Sequence, residues 1–197
     1  MKLIFATNNA HKVEEIQAAI GHALEVISLK QAGIDIDIPE PHDTLQANAT
    51  EKSQTIHRLT GENCFSEDTG LEVEALNGEP GVHSARYAGE DKAFDKNIDK
   101  LLSKLDHATN RKARFRTVIS LIWEDREWFF EGICEGAITH EQHGAGGFGY
   151  DPVFIPAGHT RTFAEMSLEE KNGISHRTKA AGKLVAFLQN QVKVAKG

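Results

Sequence analysis

The chain has 197 residues, a formal net charge of −7, and 40% hydrophobic and 26% charged residues. This is an ordinary soluble globular composition, long enough for one large domain or two small lobes with a sizeable core. The acidic balance excludes a general nucleic-acid binder, which needs a basic face, and no apolar run approaches a membrane span.

The first seven residues, Met1 to Thr7, turn polar too early for a signal peptide. Cys64 and Cys134 stand far apart without metal-ligand spacing, as free thiols in a reducing compartment would. These features point to a cytoplasmic protein. A small anionic ligand stays compatible with the acidic charge if local cations, helix N-termini or a divalent metal hold it.

In chain order, residues 2–6 predict a short buried strand. Thr7, Asn8 and Asn9 are N-cap types, and a helix follows with Val13, Ile16 and Ile20 on one face and Gly21 as its stop. Residues 24–29 read as a second strand. Ile34, Ile36 and Ile38 alternate with Asp35 and Asp37 until Pro39 and Pro41 end the run. Asp43, with Gln46 placed as in a capping box, is expected to cap a helix over 44–60. Leu45, Ala49, Ile56 and Leu59 share one stripe of that helix, with Asn48 at its edge and Lys52 inside it. A lysine there either snorkels to water or pairs with an acid, or its helix lines a cleft that holds an anion.

Residues 63–67 and 71–76 read as two strands around a turn at Asp68. Adjacent acids in a strand point to opposite faces, so only one of Glu67 and Asp68 faces a given site. We expect Asp68 to carry chemistry and Glu67 to be dispensable; the plainer alternative is a surface turn in which Asp68 bonds its own backbone. Phe94, Ile98, Leu101 and Leu105 mark an amphipathic helix over 92–105. Residues 112–139 alternate as a long antiparallel hairpin turning at 124–127, which implies a mixed sheet. A short strand at 152–155 follows. Ser167 and Glu170 form a capping box, and Ser175 opens a last helix buried through Ala181, Leu184, Leu188 and Val192.

Three further stretches carry chemistry. Thr7–Lys12 is a strand-to-helix turn of small polar residues, where free N–H groups and the helix dipole favour a phosphate. Lys12 in the first turn opposes the dipole, a cost that a bound anion would offset. Gly144 to Gly149 matches the spacing G-x-G-x-x-G, but Tyr150-Asp151-Pro152 lead into a strand, which excludes the dinucleotide-binding reading. The loop either brings backbone close to a ligand, with Phe148 free to stack on a planar ring, or packs Phe148 on the core. Lys171, His176 and Arg177 are hydrogen-bond donors suited to a carbonyl oxygen or an anion.

Taken in order, Ala6-Thr7-x-Asn9-x-x-Lys12, Asn48-Ala49-x-x-Lys52, Glu67-Asp68-Thr69-Gly70-Leu71, Pro80-Gly81, Ser84-Ala85-Arg86-Tyr87, Gly146-Gly147-Phe148-Gly149-Tyr150-Asp151-Pro152 and Lys171-x4-His176-Arg177 cover nearly the whole chain. Each motif is weak alone, but the ordered set is specific. It resembles the inosine triphosphate pyrophosphatase family. The resemblance implies an α/β fold with an elongated mixed β-sheet, flanking helices and two lobes around a deep cleft. It implies one pyrophosphatase domain over 1–197, a homodimer, Mg²⁺ dependence, and a nucleotide substrate with neither nucleic acid nor membrane as partner. The reaction would convert ITP, dITP or XTP to the monophosphate and pyrophosphate. By match of motif, Thr7, Asn8, Asn9, Ala10, His11, Lys12 and Lys52 would hold the phosphates, and Thr69 would also bind the substrate. Glu40 and Asp68 would serve the metal, and Asp68 would also activate water. Phe148, Gly149, Tyr150, Asp151, Lys171, His176 and Arg177 would read the base. Asn8 replaces a frequent glycine and Thr69 a frequent serine, both small and polar. Two alternatives stay open: a Maf-like pyrophosphatase for modified pyrimidine nucleotides, and a non-catalytic nucleotide-binding protein.

Overall fold

The structure is a computed structural model that describes residues 2–22 and 25–194. The fold is mixed α/β, and its residues group into two units. The first holds Met1–Asp68, Thr117–Gly132 and His176–Gly197; the second holds Thr69–Arg116 and Ile133–Ser175.

In the first unit, β1 (Lys2–Phe5) pairs in parallel with β2 (Glu25–Ser28) and with β3 (Cys64–Val73). The start of β5 onward, from Thr117 in Lys112–Trp123, and the first half of β6 (Arg126–Ile138) complete the order β2-β1-β3-β5-β6. Leu24, assigned to a strand by the sequence, lies outside the described residues.

Helices cover both faces of these strands. Helix α1 (Ala10–Ile20) and helix α5 (His176–Val194) bury Ile16, Ile20, Ala180, Ala181, Leu184 and Leu188 against Leu3, Phe5, Phe65, Ile119 and Leu121. The side chain of Val192 lies outside the described residues. On the opposite face, α2 (Leu45–Thr60) presents Ile56 to Ile4, Cys64 and Ile122. Ile34, Ile36 and Ile38 pack at the margin of this second cluster as the alternation predicted, but they form no strand.

The local signals behave as their chemistry requires. The Asn9 side chain caps α1 by accepting from the Lys12 N–H, and Gly21 ends the helix at φ 60°. Helix α2 is capped by Thr44, which accepts from Ala47 N, rather than by Asp43. With the cap one residue later, no capping box forms through Gln46. Leu59 is 58% exposed, so the buried stripe of α2 ends at Ile56. Glu124 and Asp125 both have positive φ, as a two-residue hairpin turn between right-twisted strands demands.

The second unit packs α3 (Phe94–Lys104) on the later half of β3 and the other ends of β5 and β6 through Leu71, Val73, Ile98, Leu101, Phe115 and Ile138. The short β4 (Pro80–Gly81) pairs antiparallel with β3, and β7 (Phe154–Pro156) with β6. Gly70 is required here, because a Cβ would meet the Gly81 carbonyl oxygen at 2.6 Å. The predicted capping box of Ser167 and Glu170 forms at the start of the five-residue α4 (Leu168–Asn172).

The main departure from expectation is β3. The sequence predicts two strands broken by a turn at Asp68. The structure has one ten-residue strand through that point. Thr69-Gly70 does not break it because β4 and Ser84 supply partners there: the Leu71 N–H donates to Ser84 Oγ at 2.9 Å.

Candidate active site

Alternation along β3 separates its two acids. Phe65 and Glu67 face α1 and α5, while Ser66 and Asp68 face α2. Each acid meets a different set of cations.

On the α2 face, Asp68 is 6% exposed. Its Oδ2 accepts from Asn48 Nδ2 at 3.3 Å, and its Oδ1 lies 3.4 Å from Lys52 Nζ. The same ammonium donates to Glu40 Oε1 at 2.5 Å. Asn48 and Lys52 are one helical turn apart, so α2 aims both at this point. Burial pushes the Asp68 carboxyl above the usual range, outweighing the pull of Lys52 and Lys12. Burial alone would lower the Lys52 ammonium, but Asp68 and Glu40 together raise it. Lys52 therefore pairs, as one of its two sequence readings held, and the partners are the two acids assigned to a metal.

On the other face, Glu67 is an internal anchor and not a spare carboxylate. Arg177 Nε and Nη2 bond its two oxygens at 2.8 Å each, and Lys12 Nζ lies 3.2 Å from Oε1. Arg177 Nη1 bonds Glu15. Burial would raise the Glu67 carboxyl, but Arg177 and Lys12 outweigh it and hold the group at about 2. Burial would lower the Arg177 guanidinium, and Glu67 with Glu15 raises it instead. The expectation that Glu67 is dispensable is thus corrected, because the sequence does not show that an arginine 110 residues away closes on it. The guanidinium of Arg177, expected to read a base, is engaged with Glu67 and Glu15. The first-turn Lys12 has its compensating anion within the chain, also Glu67.

The remaining phosphate-turn residues cluster at the start of α1. Thr7 Oγ1 accepts from Asn9 N, and Asn8 Nδ2 donates to Ile36 O. Asn8, Ala10 and His11 are exposed. His176, at the start of α5, is buried. Gly132 permits this helix start to close on β6, since a Cβ there would meet the His176 carbonyl oxygen at 1.9 Å.

The second unit brings Phe148, Asp151 and Lys171 together. Lys171 Nζ bonds Asp151 Oδ2 at 2.6 Å and lies 5.2 Å from the Phe148 ring centroid. The same Asp151 oxygen accepts the Phe148 N–H. Gly147 at φ 69° makes the turn, and a Cβ on it would strike that carboxylate. Gly149 is half-buried and also has positive φ, and Thr69 is half-buried on β3. Tyr150 is buried and donates to the Ser84 carbonyl at 2.7 Å, so its hydroxyl is engaged within this unit. A separate cavity of about 660 Å³ on this unit, bordered by Glu72, Arg114, Glu135 and Ile155, includes none of the predicted site residues.

Among the described residues, no three His, Cys, Asp or Glu side chains gather as a metal cluster. Glu40 and Asp68 nonetheless converge on one cation, the Lys52 ammonium. Two carboxylates are a donor set of the kind that suits a hard divalent cation, which takes oxygen ligands.

The Ham1 family model matches residues 3–187. The chain belongs to the Ham1 family. A dITP/XTP pyrophosphatase of Porphyromonas gingivalis is 55% identical over 188 residues, spanning 95% of this chain and 97% of that protein. A dITP/XTP pyrophosphatase of Flavobacterium johnsoniae is 48% identical over 95% of this chain and 98% of that protein. The solved Staphylococcus aureus Ham1 protein superposes with a TM-score of 0.87 at 39% identity, over 97% of this chain and 100% of that one. A Ham1 protein of Coxiella burnetii gives a TM-score of 0.87 at 34% identity, over 96% and 99%.

Proposed function

We propose that this Ham1 protein hydrolyses non-standard purine nucleoside triphosphates, namely ITP, dITP and XTP, to the monophosphate and pyrophosphate. The observation that carries the reading is that Lys52 joins Glu40 to Asp68, which Asn48 also bonds, in a chain 55% identical to a protein named dITP/XTP pyrophosphatase.

Asp68 is suited to the base role. Burial raises its proton affinity, so it accepts a proton from water more readily than an exposed aspartate. Water attacks, the anhydride bond between the α and β phosphates breaks, and the water proton goes to Asp68. Lys12 and Lys52 are the cations that would take the phosphate charge, exchanging their present carboxylate partners for phosphate oxygens. Thr7, Asn8, Asn9, Ala10 and His11 would complete the phosphate turn at the start of α1, where the helix dipole favours an anion. Glu40 and Asp68 would hold Mg²⁺, which when bound supplies charge neutralisation and a lowered pKa for coordinated water.

With the Arg177 guanidinium committed to Glu67 and Glu15, base recognition would fall to Phe148, Gly149, Tyr150, Asp151 and Lys171 of the second unit. A donor such as Lys171 bonds a purine 6-oxo group. Adenine presents an amino donor at that position and would leave the protein donor unpaired, which a buried site penalises. We place Thr69 beside the substrate, and treat 1–197 as one catalytic domain working as a cytoplasmic homodimer. No helix among the described residues is long and apolar enough to cross a membrane.

The test is pyrophosphate release from ITP, dITP, XTP, ATP and GTP with Mg²⁺. ITP, dITP and XTP should be turned over well ahead of ATP and GTP. Equal turnover of ATP and GTP would overturn the specificity, and no turnover of any triphosphate would overturn the enzyme reading.

A further inference from the structure

One neutral side chain, Asn48, bonds both Asp68 and the backbone two residues beyond Glu40. Asn48 is 1% exposed in the first turns of α2, among Leu45, Ala49 and Ile56. Asn is a poor helix residue because its amide competes for the backbone, and a buried amide is costly unless bonded. Here it is bonded on both ends. Oδ1 accepts the His42 N–H at 2.9 Å. Nδ2 donates to the His42 carbonyl at 3.2 Å and to Asp68 Oδ2 at 3.3 Å.

The pairing with His42 uses both backbone groups of that residue, as a neighbouring strand would. The segment from Asp35 to Pro41 has no regular secondary structure, and Glu40 lies on it, two residues before His42. Asn48 therefore substitutes for a missing strand partner and fixes the segment that presents Glu40. With its remaining N–H it orients Asp68. Lys52 also contacts both acids, but it is the group expected to exchange partners when phosphate binds; Asn48 is neutral and keeps its bonds.

Resting on the functional reading above, we propose that Asn48 is a positioning residue that sets the distance and orientation between Glu40 and Asp68, and so the metal requirement of the reaction. The amide is specified chemically. Aspartate would fit but would lose both donors and add a third negative charge, and alanine would lose every contact.

The experiment compares Asn48→Ala with Thr44→Ala, which removes the cap of the same helix without touching either acid. Two quantities are read: amide hydrogen exchange at His42, and the Mg²⁺ concentration that half-saturates ITP turnover. Loss of a supporting bond of this kind costs on the order of 10- to 100-fold in metal affinity or activity. Asn48→Ala should raise the half-saturating Mg²⁺ by that factor and speed His42 exchange, while Thr44→Ala should leave the Mg²⁺ requirement near wild type. Unchanged His42 exchange in Asn48→Ala, or a Mg²⁺ requirement no different from that of Thr44→Ala, overturns the proposal. The exchange measurement needs no substrate. A wild type without ITP turnover would sink the functional reading and leave the exchange result to decide on Asn48.

Discussion

Replacing Glu67 by Gln changes one atom's chemistry in the interior of the first unit and should cost far more than a surface change. The Glu67 side chain is 0% exposed, Arg177 is 2% exposed, and two parallel bonds of 2.8 Å join them. Removing one partner of a buried ion pair costs about 3–5 kcal/mol, mostly because the other charge stays buried without compensation. Three features pull the figure to the lower end. Glu15 stays on Arg177 Nη1, and the Gln oxygen still accepts one guanidinium N–H. Lys12 is 17% exposed and regains water. We therefore expect a loss of about 3 kcal/mol, which for a chain of this size is a fall in Tm of about 6–12 °C. Thermal melts followed by circular dichroism measure it. A second variant, Arg177→Met, and the double variant close a cycle in which the combined loss should be smaller than the sum of the two single losses, since both remove the same pair. A Tm within 2 °C of wild type for Glu67→Gln would refute the anchor role and return Glu67 to the status of a spare carboxylate.

Other outcomes follow from the same geometry. Asp68→Asn should cut turnover by on the order of 10²–10⁴-fold while nucleotide binding persists; intact turnover would remove Asp68 from the chemistry. Lys52→Met should weaken binding of a non-hydrolysable ITP analogue by roughly 10- to 100-fold, the value of one charge-assisted hydrogen bond, and calorimetry showing wild-type affinity would contradict its phosphate role. Gly132→Ala should destabilise the fold by about 1–3 kcal/mol or more, because the new methyl has no room beside the His176 carbonyl; an unchanged melt would contradict that packing. Burial pushes the Cys64 thiol up to about 12, and its Sγ donates to the Ser53 carbonyl. At pH 8 it should resist iodoacetamide in the folded protein and react after denaturation, and rapid labelling of Cys64 in the native state, mapped by mass spectrometry, would count against its burial.

Local chemistry was legible wherever it is short-range. The Asn9 cap, the Gly21 stop, the Ser167–Glu170 box and the hairpin of β5 and β6 all depend on residues within a few positions of one another. The same holds for the rejection of the G-x-G-x-x-G fingerprint: no α-helix follows Gly149, only the one-turn 3₁₀ helix Asp151–Val153, and the chain then enters β7. Where a partner lies far along the chain, the reading failed. Asp68 looked like a turn because Thr69 and Gly70 are turn residues, and the distant Ser84 and β4 keep the strand going. The strip from Ile34 to Ile38 looked like a strand and is not one, since alternation records burial of one face and not the presence of a ladder partner.

By itself the sequence determined the α/β class, the order of the motifs, and the alternation that sends Glu67 and Asp68 to opposite faces. It also singled out Lys52 as a lysine that needs a partner. Only the tertiary structure decided what each of these groups meets. Asp68 and Glu40 share Lys52, Glu67 takes Arg177 and Lys12, and Asn48 stands in for a strand beside His42. The physical reason is that periodicity and capping are set by bonds within one or two turns of chain. The ionisation and orientation of a buried group are set instead by charges and donors that come near it only once the sheet and its helices have packed.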